Sequence, residues 1–334
     1  MKASKPPLHV LVYRLSALGD VAMTIPAIYS CASRWSGTTF HVVTDRFCAQ
    51  LFADAPTNVE IVPADKSAGT WQMLMLLNKM ETDAVADLHN VLRSWIIDAW
   101  FLLKGKRVCI LHKNRSERRA IMRHGKHTPT PFVHRYFDVF RRLGLDCEPR
   151  FTSLFKTLPP LPVDTDKGQE RWIGIAPFAR YANKMYPLEK MKEVVRMLAE
   201  QPGYRLFLFG SKGLQADSLS EWGKLSPRVC TVAGRFTLKE ELSLMARLDV
   251  MLSMDSANQH MASLVGTRVI SVWGSTTPAC GFMGWNQRTE DAVCRNISCQ
   301  PCSIGGSTSC RMHTLACLNE ISPQVIVNRI TETI

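Results

Sequence analysis

A strand–helix alternation that stops once and then starts again limits this chain to few architectures. In the first half, strand-type apolar runs at 8–13 (LHVLVY), 40–44, 59–62, 84–88 and 108–111 are separated by helical patterns at 20–34, 71–80, 91–103 and 132–143. Pro26 is expected to bend the first helix, and Gly144 stands where the last should end. The break is Thr157-Leu158-Pro159-Pro160-Leu161-Pro162. Its prolines lack the backbone N–H that a ladder or helix needs. Beyond it, strands at 172–176, 204–209, 229–232, 250–252 and 269–273 alternate with helices at 188–200, 238–248, after Asp255, and at 323–330. Strands joined through helices pair in parallel, and the helices cover both sheet faces. The fold class is therefore α/β, in two domains at 1–160 and 165–322. A C-terminal helix in 323–334 is left able to pack back on the first. Open sheets of this kind bind ligands beyond the carboxyl ends of their strands.

The length of 334 residues agrees with two domains of roughly 150 each. A content of 46% hydrophobic and 21% charged residues is that of a folded soluble protein. No run approaches the roughly 20 apolar residues of a membrane span. Residues 1–16 lack the apolar core of a secretory signal, so a cytoplasmic location is expected. The net charge of +12 implies an acidic partner. Thirteen basic residues fall between Lys104 and Arg150, against Glu117, Asp138, Asp146 and Glu148. The region reads either as a solvated helical face or as a docking surface for an anionic acceptor or membrane. In the second case Arg118, Arg119 and Arg123 are the candidate acceptor contacts. No nucleic-acid module accompanies them, so nucleic acid is not an expected partner.

Three loops carry the chemistry. The segment DVMLSMDSANQHMASLVGTRVISVWGSTTP, 249–278, reads as strand, turn, helix and strand, with Asp255 and Ser256 at the turn. The unpaired N–H groups and dipole of a helix N-terminus favour phosphate there. Ser256 can cap that helix and still offer its hydroxyl, and His260 lies about one turn in. After the first strand of the second half, Arg180 and Lys184 stand before the helix that Pro187 begins, both within reach of a pyrophosphate. The first loop of the chain, Arg14-Leu15-Ser16-Ala17-Leu18-Gly19-Asp20, is not G-x-G-x-x-G, which argues against hydride transfer. It places Asp20 at a helix start, either as an N-cap or as a general base toward a hydroxyl.

These residues resemble glycosyltransferase family 9, the ADP-heptose:lipopolysaccharide heptosyltransferases. The family's N-terminal signature is similar to LSALGDVAMTIP at 15–26. Its K-x-[WY]-P element is similar to Lys184-Met185-Tyr186-Pro187. Its D-[ST]-G-x-x-H-x-A element is similar to 255–262, and its V-x-[LVW]-[FW]-G-x-T-x-P element to 269–278. The resemblance implies a GT-B fold, two facing Rossmann-like domains with parallel sheets and an interdomain cleft. It implies inverting, metal-independent transfer of heptose from ADP-heptose to a hydroxyl of a lipopolysaccharide core acceptor. Asp20 then matches the catalytic aspartate and Lys184 the phosphate-binding lysine. Asp255, Ser256, Ala257 and His260, with Arg180, fall at the donor. The partners implied are an ADP-sugar and an anionic lipid-linked saccharide, with peripheral association at the cytoplasmic face of the inner membrane. Ala257 stands where the family has glycine, and Gly210-Ser211-Lys212 replaces a glutamate expected at the ribose, with Asp217 a weak substitute. The donor base and sugar are therefore less determined than the reaction class. Another nucleotide sugar, or a non-catalytic nucleotide-sugar-binding protein, is the alternative.

Eleven cysteines are many for a cytoplasmic enzyme. Cys294, Cys299, Cys302, Cys310 and Cys317 crowd the tail. Cys299-x-x-Cys302 with Cys310 and Cys317 fits a structural zinc site; redox-dependent disulfides and free thiols are the other two readings. No cofactor is otherwise expected.

Overall fold

The computed structural model describes residues 5–124 and 130–334, without the side chains of Arg115, Arg118, Arg119, Arg123 and His124. In chain order the first elements are β1 (His9–Tyr13), α1 (Leu18–Ala22), α2 (Ile25–Arg34), β2 (Thr39–Asp45), β3 (Val59–Ala64), α3 (Thr70–Leu77), β4 (Ala84–Asp87), α4 (Leu92–Leu103), β5 (Arg107–Ile110), α5 (Arg115–His124) and α6 (Phe132–Arg142). Then come β6 (Arg171–Ala176), α7 (Leu188–Glu200), β7 (Tyr204–Leu208), α8 (Leu214–Gly223), β8 (Val229–Thr231), α9 (Leu238–Met245), β9 (Val250–Met254), α10 (Ala257–Leu264), β10 (Val269–Val272), β11 (Ala292–Val293), α11 (Ala316–Asn319) and α12 (Pro323–Thr331).

The chain packs as two units. One holds the described residues of 1–114 and 130–156, the other those of 115–129 and 157–334. The first sheet has the order β3-β2-β1-β4-β5 and the second β11-β10-β9-β6-β7-β8. Every strand pair is parallel. In each sheet the chain starts near the middle, builds outward to one side, then returns to build the other. The strand order therefore reverses between β1 and β4 and between β6 and β9. At such a point the connections leave in opposite directions and open a crevice beyond the strand ends. The register pairs Tyr13 with Asp87 and Ala176 with Ser253, so the loops after these four residues line the two crevices.

Within the first unit, α3 and α4 cover one sheet face through Met73, Leu74, Leu77, Ile97 and Phe101 against Leu11, Tyr13, Val43 and Val85. Pro26 does not bend a long helix. The helix breaks after Ala22, and Pro26 sits in the first turn of α2, where its missing N–H has no intrahelical partner to lose. Cys31 of α2 and Cys147 form a disulfide across 116 residues. In the second unit, α7 and α12 pack together around Val194, Leu198, Ile326, Val327 and Ile330. The C-terminal helix is thus part of the second core. Its apolar positions match a surface of α7 that would otherwise face water.

Candidate active site

In the second unit the loops after β6 and β9 meet at the strand reversal. Lys184 ends a short 3-10 turn, Ala182–Lys184. The turn is held by Tyr186, fully buried, whose hydroxyl donates to the Ile321 carbonyl at 2.7 Å. Gly274 lets the loop after β10 lie against it. A Cβ there would stand 2.4 Å from the Asn183 carbonyl oxygen, which the Ser275 N–H reaches at 2.9 Å. Gly306, at φ +84°, lies so close to the Lys184 stem that a Cβ would be 2.2 Å from Cδ.

The Lys184 ammonium is 2.6 Å from Asp255 Oδ2. The Thr276 hydroxyl donates to the same oxygen at 2.6 Å, and the Gln259 amide donates to Oδ1 at 3.1 Å. Asp255 is buried, so both oxygens are satisfied by the protein. Its observed part is to anchor Lys184 rather than to present a bare carboxylate. An ammonium has three N–H donors. Among the described residues Lys184 has only Asp255, which leaves two donors for an anion. Thr276 and Gln259 escaped the sequence reading. Thr276 was visible only as the threonine of G-x-T-x-P, with nothing to tie it to Asp255, 21 residues away.

Ser256 is the N-cap of α10 by position, with extended backbone at φ −145° and ψ 179°. Its hydroxyl makes no cap hydrogen bond and lies 3.3 Å from that of Ser253. The sequence expectation that it caps the helix is corrected: the Ser256 side chain makes no hydrogen bond to the first turn of α10. Ala257 is the first residue of that helix, so the left-handed conformation that would demand glycine is not needed here. His260 lies one turn in and is buried. Arg180 is exposed, its guanidinium 5.5 Å from the centre of the Tyr181 ring.

In the first unit, Asp20 is the third residue of α1, not its N-cap, which is Ala17. Its Oδ2 accepts the Ala17 N–H at 3.3 Å and lies 2.8 Å from the Arg14 guanidinium. Arg14 is itself buried and donates to the Leu88 carbonyl at 2.6 Å. Among the described residues Oδ1 takes no contact, so one carboxylate oxygen remains open to a hydroxyl. His89, after β4, shares this crevice, and sequence reasoning missed it. Burial, with Arg14 and Lys113, pushes its imidazole down to about 4, against the pull of Asp20. It is therefore neutral at physiological pH, a ring able to donate and accept at once. Asp87 accepts the His89 backbone N–H at 2.7 Å and the Ser94 hydroxyl at 2.6 Å. Burial and the Asp87 charge push the buried Asp98 carboxyl upward.

The low value of His89 has a consequence for stability. The unfolded chain takes up a proton there near pH 6.5 and the folded chain only near pH 4. Stability from this group is present above the unfolded value and is lost as pH falls through that window. The loss is at most roughly 3 kcal/mol, reduced by solvent at the half-buried ring. The expected result is that His89→Asn flattens the acid side of a plot of Tm against pH. Parallel curves for the two proteins would refute it.

Arg118, Arg119 and Arg123 fall on α5, and their side chains lie outside the described residues. The zinc expectation is not supported. Among the described residues no three His, Cys, Asp or Glu side chains are placed to share a metal ion. Cys317 is buried in the apolar core, which pushes its thiol up to about 11. Cys302 instead sits 3.7 Å from the Ser275 carbonyl. The five tail cysteines are free thiols.

Comparison with known proteins agrees with this geometry. The sequence profile of glycosyltransferase family 9 (heptosyltransferase) matches residues 71–312. Lipooligosaccharide heptosyltransferase 2 of Campylobacter jejuni is 20% identical over 331 residues, covering 97% of this chain and 98% of that protein. The structure of E. coli heptosyltransferase WaaC with ADP superposes with a TM-score of 0.69 at 18% identity, over 98% of this chain and 100% of that one. A family 9 glycosyltransferase from Veillonella parvula gives a TM-score of 0.71 at 18% identity, over 100% and 98%. The two parallel sheets are those of the GT-B fold of these heptosyltransferases. With the profile spanning most of its length, the chain belongs to glycosyltransferase family 9, the heptosyltransferase family, and is a glycosyltransferase.

Proposed function

We propose that the protein transfers heptose from ADP-heptose to a hydroxyl of a lipopolysaccharide core acceptor, with inversion at the anomeric carbon and without a metal. The observation that carries the reading is the Lys184–Asp255–Thr276 cluster beside the uncapped N-terminus of α10. It offers a cation and backbone N–H groups in one place, which suits the charge of a departing nucleoside diphosphate. Two of the relatives named above are heptosyltransferases, one of them solved with ADP.

In this reading Asp20 Oδ1 accepts the acceptor proton as the oxygen attacks. The bond to the diphosphate breaks through an oxocarbenium-like state. The leaving oxygen gains charge, met by Lys184, the Ser256 hydroxyl, His260 and the α10 N–H groups, with Arg180 at the diphosphate edge. Lys184 and the helix terminus supply positive charge where a divalent ion would otherwise serve. The acceptor is an anionic lipid-linked saccharide, and Arg118, Arg119 and Arg123 are its proposed contacts. The protein works in the cytoplasm at the inner membrane.

Calorimetric titration with ADP, UDP and GDP tests the donor. ADP is expected to bind at least about tenfold tighter, a difference of roughly 1.4 kcal/mol. A preference for UDP or GDP would shift the donor to another nucleotide sugar. Nucleotide binding without product from any donor would make this a binding protein.

A further inference from the structure

The outer face of α4 is apolar where a surface helix is usually polar. Leu92, Trp95, Ile96, Ala99 and Leu103 fall at i, i+3, i+4, i+7 and i+11, which is one helix face. All five are exposed, Leu92 by 72% and Leu103 by 87%. The opposite face, with Ile97, Asp98 and Phe101, is buried against the sheet. A helix with apolar residues on two opposite faces is normally covered on both; this one is not. Its neighbour α3 packs on the same sheet face and exposes Trp71 and Met75, by 66% and 52%. Lys104 at the end of α4 bonds the Asn78 side chain just past α3, so the two helix ends are adjacent.

The rim of this face is mostly basic. Lys66, Lys79, Arg93, Lys104 and Lys106 lie on the two helices or at their ends. The one carboxylate within α3 and α4, Asp98, is buried underneath. Nearby Asp65 is tied to Ser67 and Glu81 to His9. The Lys104 ammonium sits 5.0 Å from the centre of the Trp100 ring, charge above and aromatic surface below.

We propose that the α3–α4 face is a docking surface for a bilayer that carries anionic headgroups. Trp71, Leu92, Trp95, Ile96 and Leu103 enter the boundary between headgroups and acyl chains, and the basic rim meets lipid phosphates. Tryptophan favours that boundary because its ring is apolar and its N–H polar. Buried apolar area and attraction to anionic lipid reinforce one another in such surfaces. With 12 residues, α4 is about 18 Å long, too short for a hydrocarbon core of roughly 30 Å, so it lies along the membrane. No helix among the described residues is long and apolar enough to cross one. The use of this surface, to meet a lipid-linked acceptor, rests on the transfer reading above; its lipid binding does not.

Vesicle flotation decides the matter. The full chain is expected to float with phosphatidylglycerol–phosphatidylethanolamine vesicles, to float weakly with phosphatidylcholine, and to be partly released by high salt. Its tryptophan emission shifts to the blue on binding. Trp95→Ser with Leu103→Ser is expected to cut the partition about tenfold or more, while transfer to a water-soluble truncated acceptor is unchanged. Lys104→Glu with Lys106→Glu reads the same surface through its charge if the first variant does not fold. Flotation unchanged in both variants overturns the proposal. So does equal binding to all vesicles, or a wild-type dimer in sedimentation velocity that the variants split. Wild type that floats but makes no product from any donor would sink the transfer reading and leave the surface standing.

Discussion

Asp20→Asn is expected to bind ADP as the wild type does and to lose about a thousandfold in kcat, within the range for a positioned general base. The substitution keeps the shape and the contact to the Ala17 N–H, and it removes the oxygen's ability to hold a proton. The Arg14 guanidinium fixes Oδ2, and among the described residues Oδ1 takes no contact, which suits it to the proposed role. A small loss of stability should accompany the change, because the buried Arg14 loses the charge of its carboxylate partner. Steady-state rates with saturating donor, beside calorimetric ADP titration, separate chemistry from binding. A variant within about threefold of wild-type kcat would show that another group takes the proton.

Lys184→Met is the second large effect. Fixed charge aimed at a leaving group acts mostly in the transition state, so the loss falls on kcat more than on donor KM. Removing one such donor typically costs about a hundredfold to a thousandfold. The change also strands a buried carboxylate. Asp255 keeps Thr276 and Gln259 but loses its cation, and breaking a buried pair costs up to about 3–5 kcal/mol. The two hydrogen bonds that remain hold the cost to the lower part of that range. Thermal melts should therefore show a marked drop in Tm together with the loss of turnover. A Tm near wild type with full activity would mean that neither the anchor nor the leaving-group role belongs to this lysine. Thr276→Val would then be uninformative about catalysis, because its hydroxyl reaches the site only through Asp255.

Much of this molecule was legible in the residue order, and the reasons are local. The runs HVLVY, RWIGIA and VMLSM are short and mostly apolar, and each became a central strand. Segments that follow such strands must lie at the carboxyl end of their own sheet, which is where Asp20 follows β1, Lys184 follows β6 and Asp255 follows β9. Segments without periodic apolar residues were missed. Half of the helix RSERRAIMRH is charged, and β11 has two residues. Pro26 was misjudged because a proline one turn into a pattern looks the same whether it bends a helix or begins one.

The sequence by itself determined the α/β class, and it marked the proline-rich break and the loops proposed to carry chemistry. These follow from hydrophobic periodicity and from which residues can cap, turn or ionise. The tertiary structure decided what each charged group meets. Strand order brought β6 beside β9 and so gave Lys184 to Asp255, closed by Thr276 from a third loop. Packing also decided that Cys317 is core rather than ligand, that α12 belongs to the second unit, and that one face of α4 stays uncovered. Periodicity marks a face as apolar, but what covers that face depends on neighbours distant in sequence, and no local pattern encodes them.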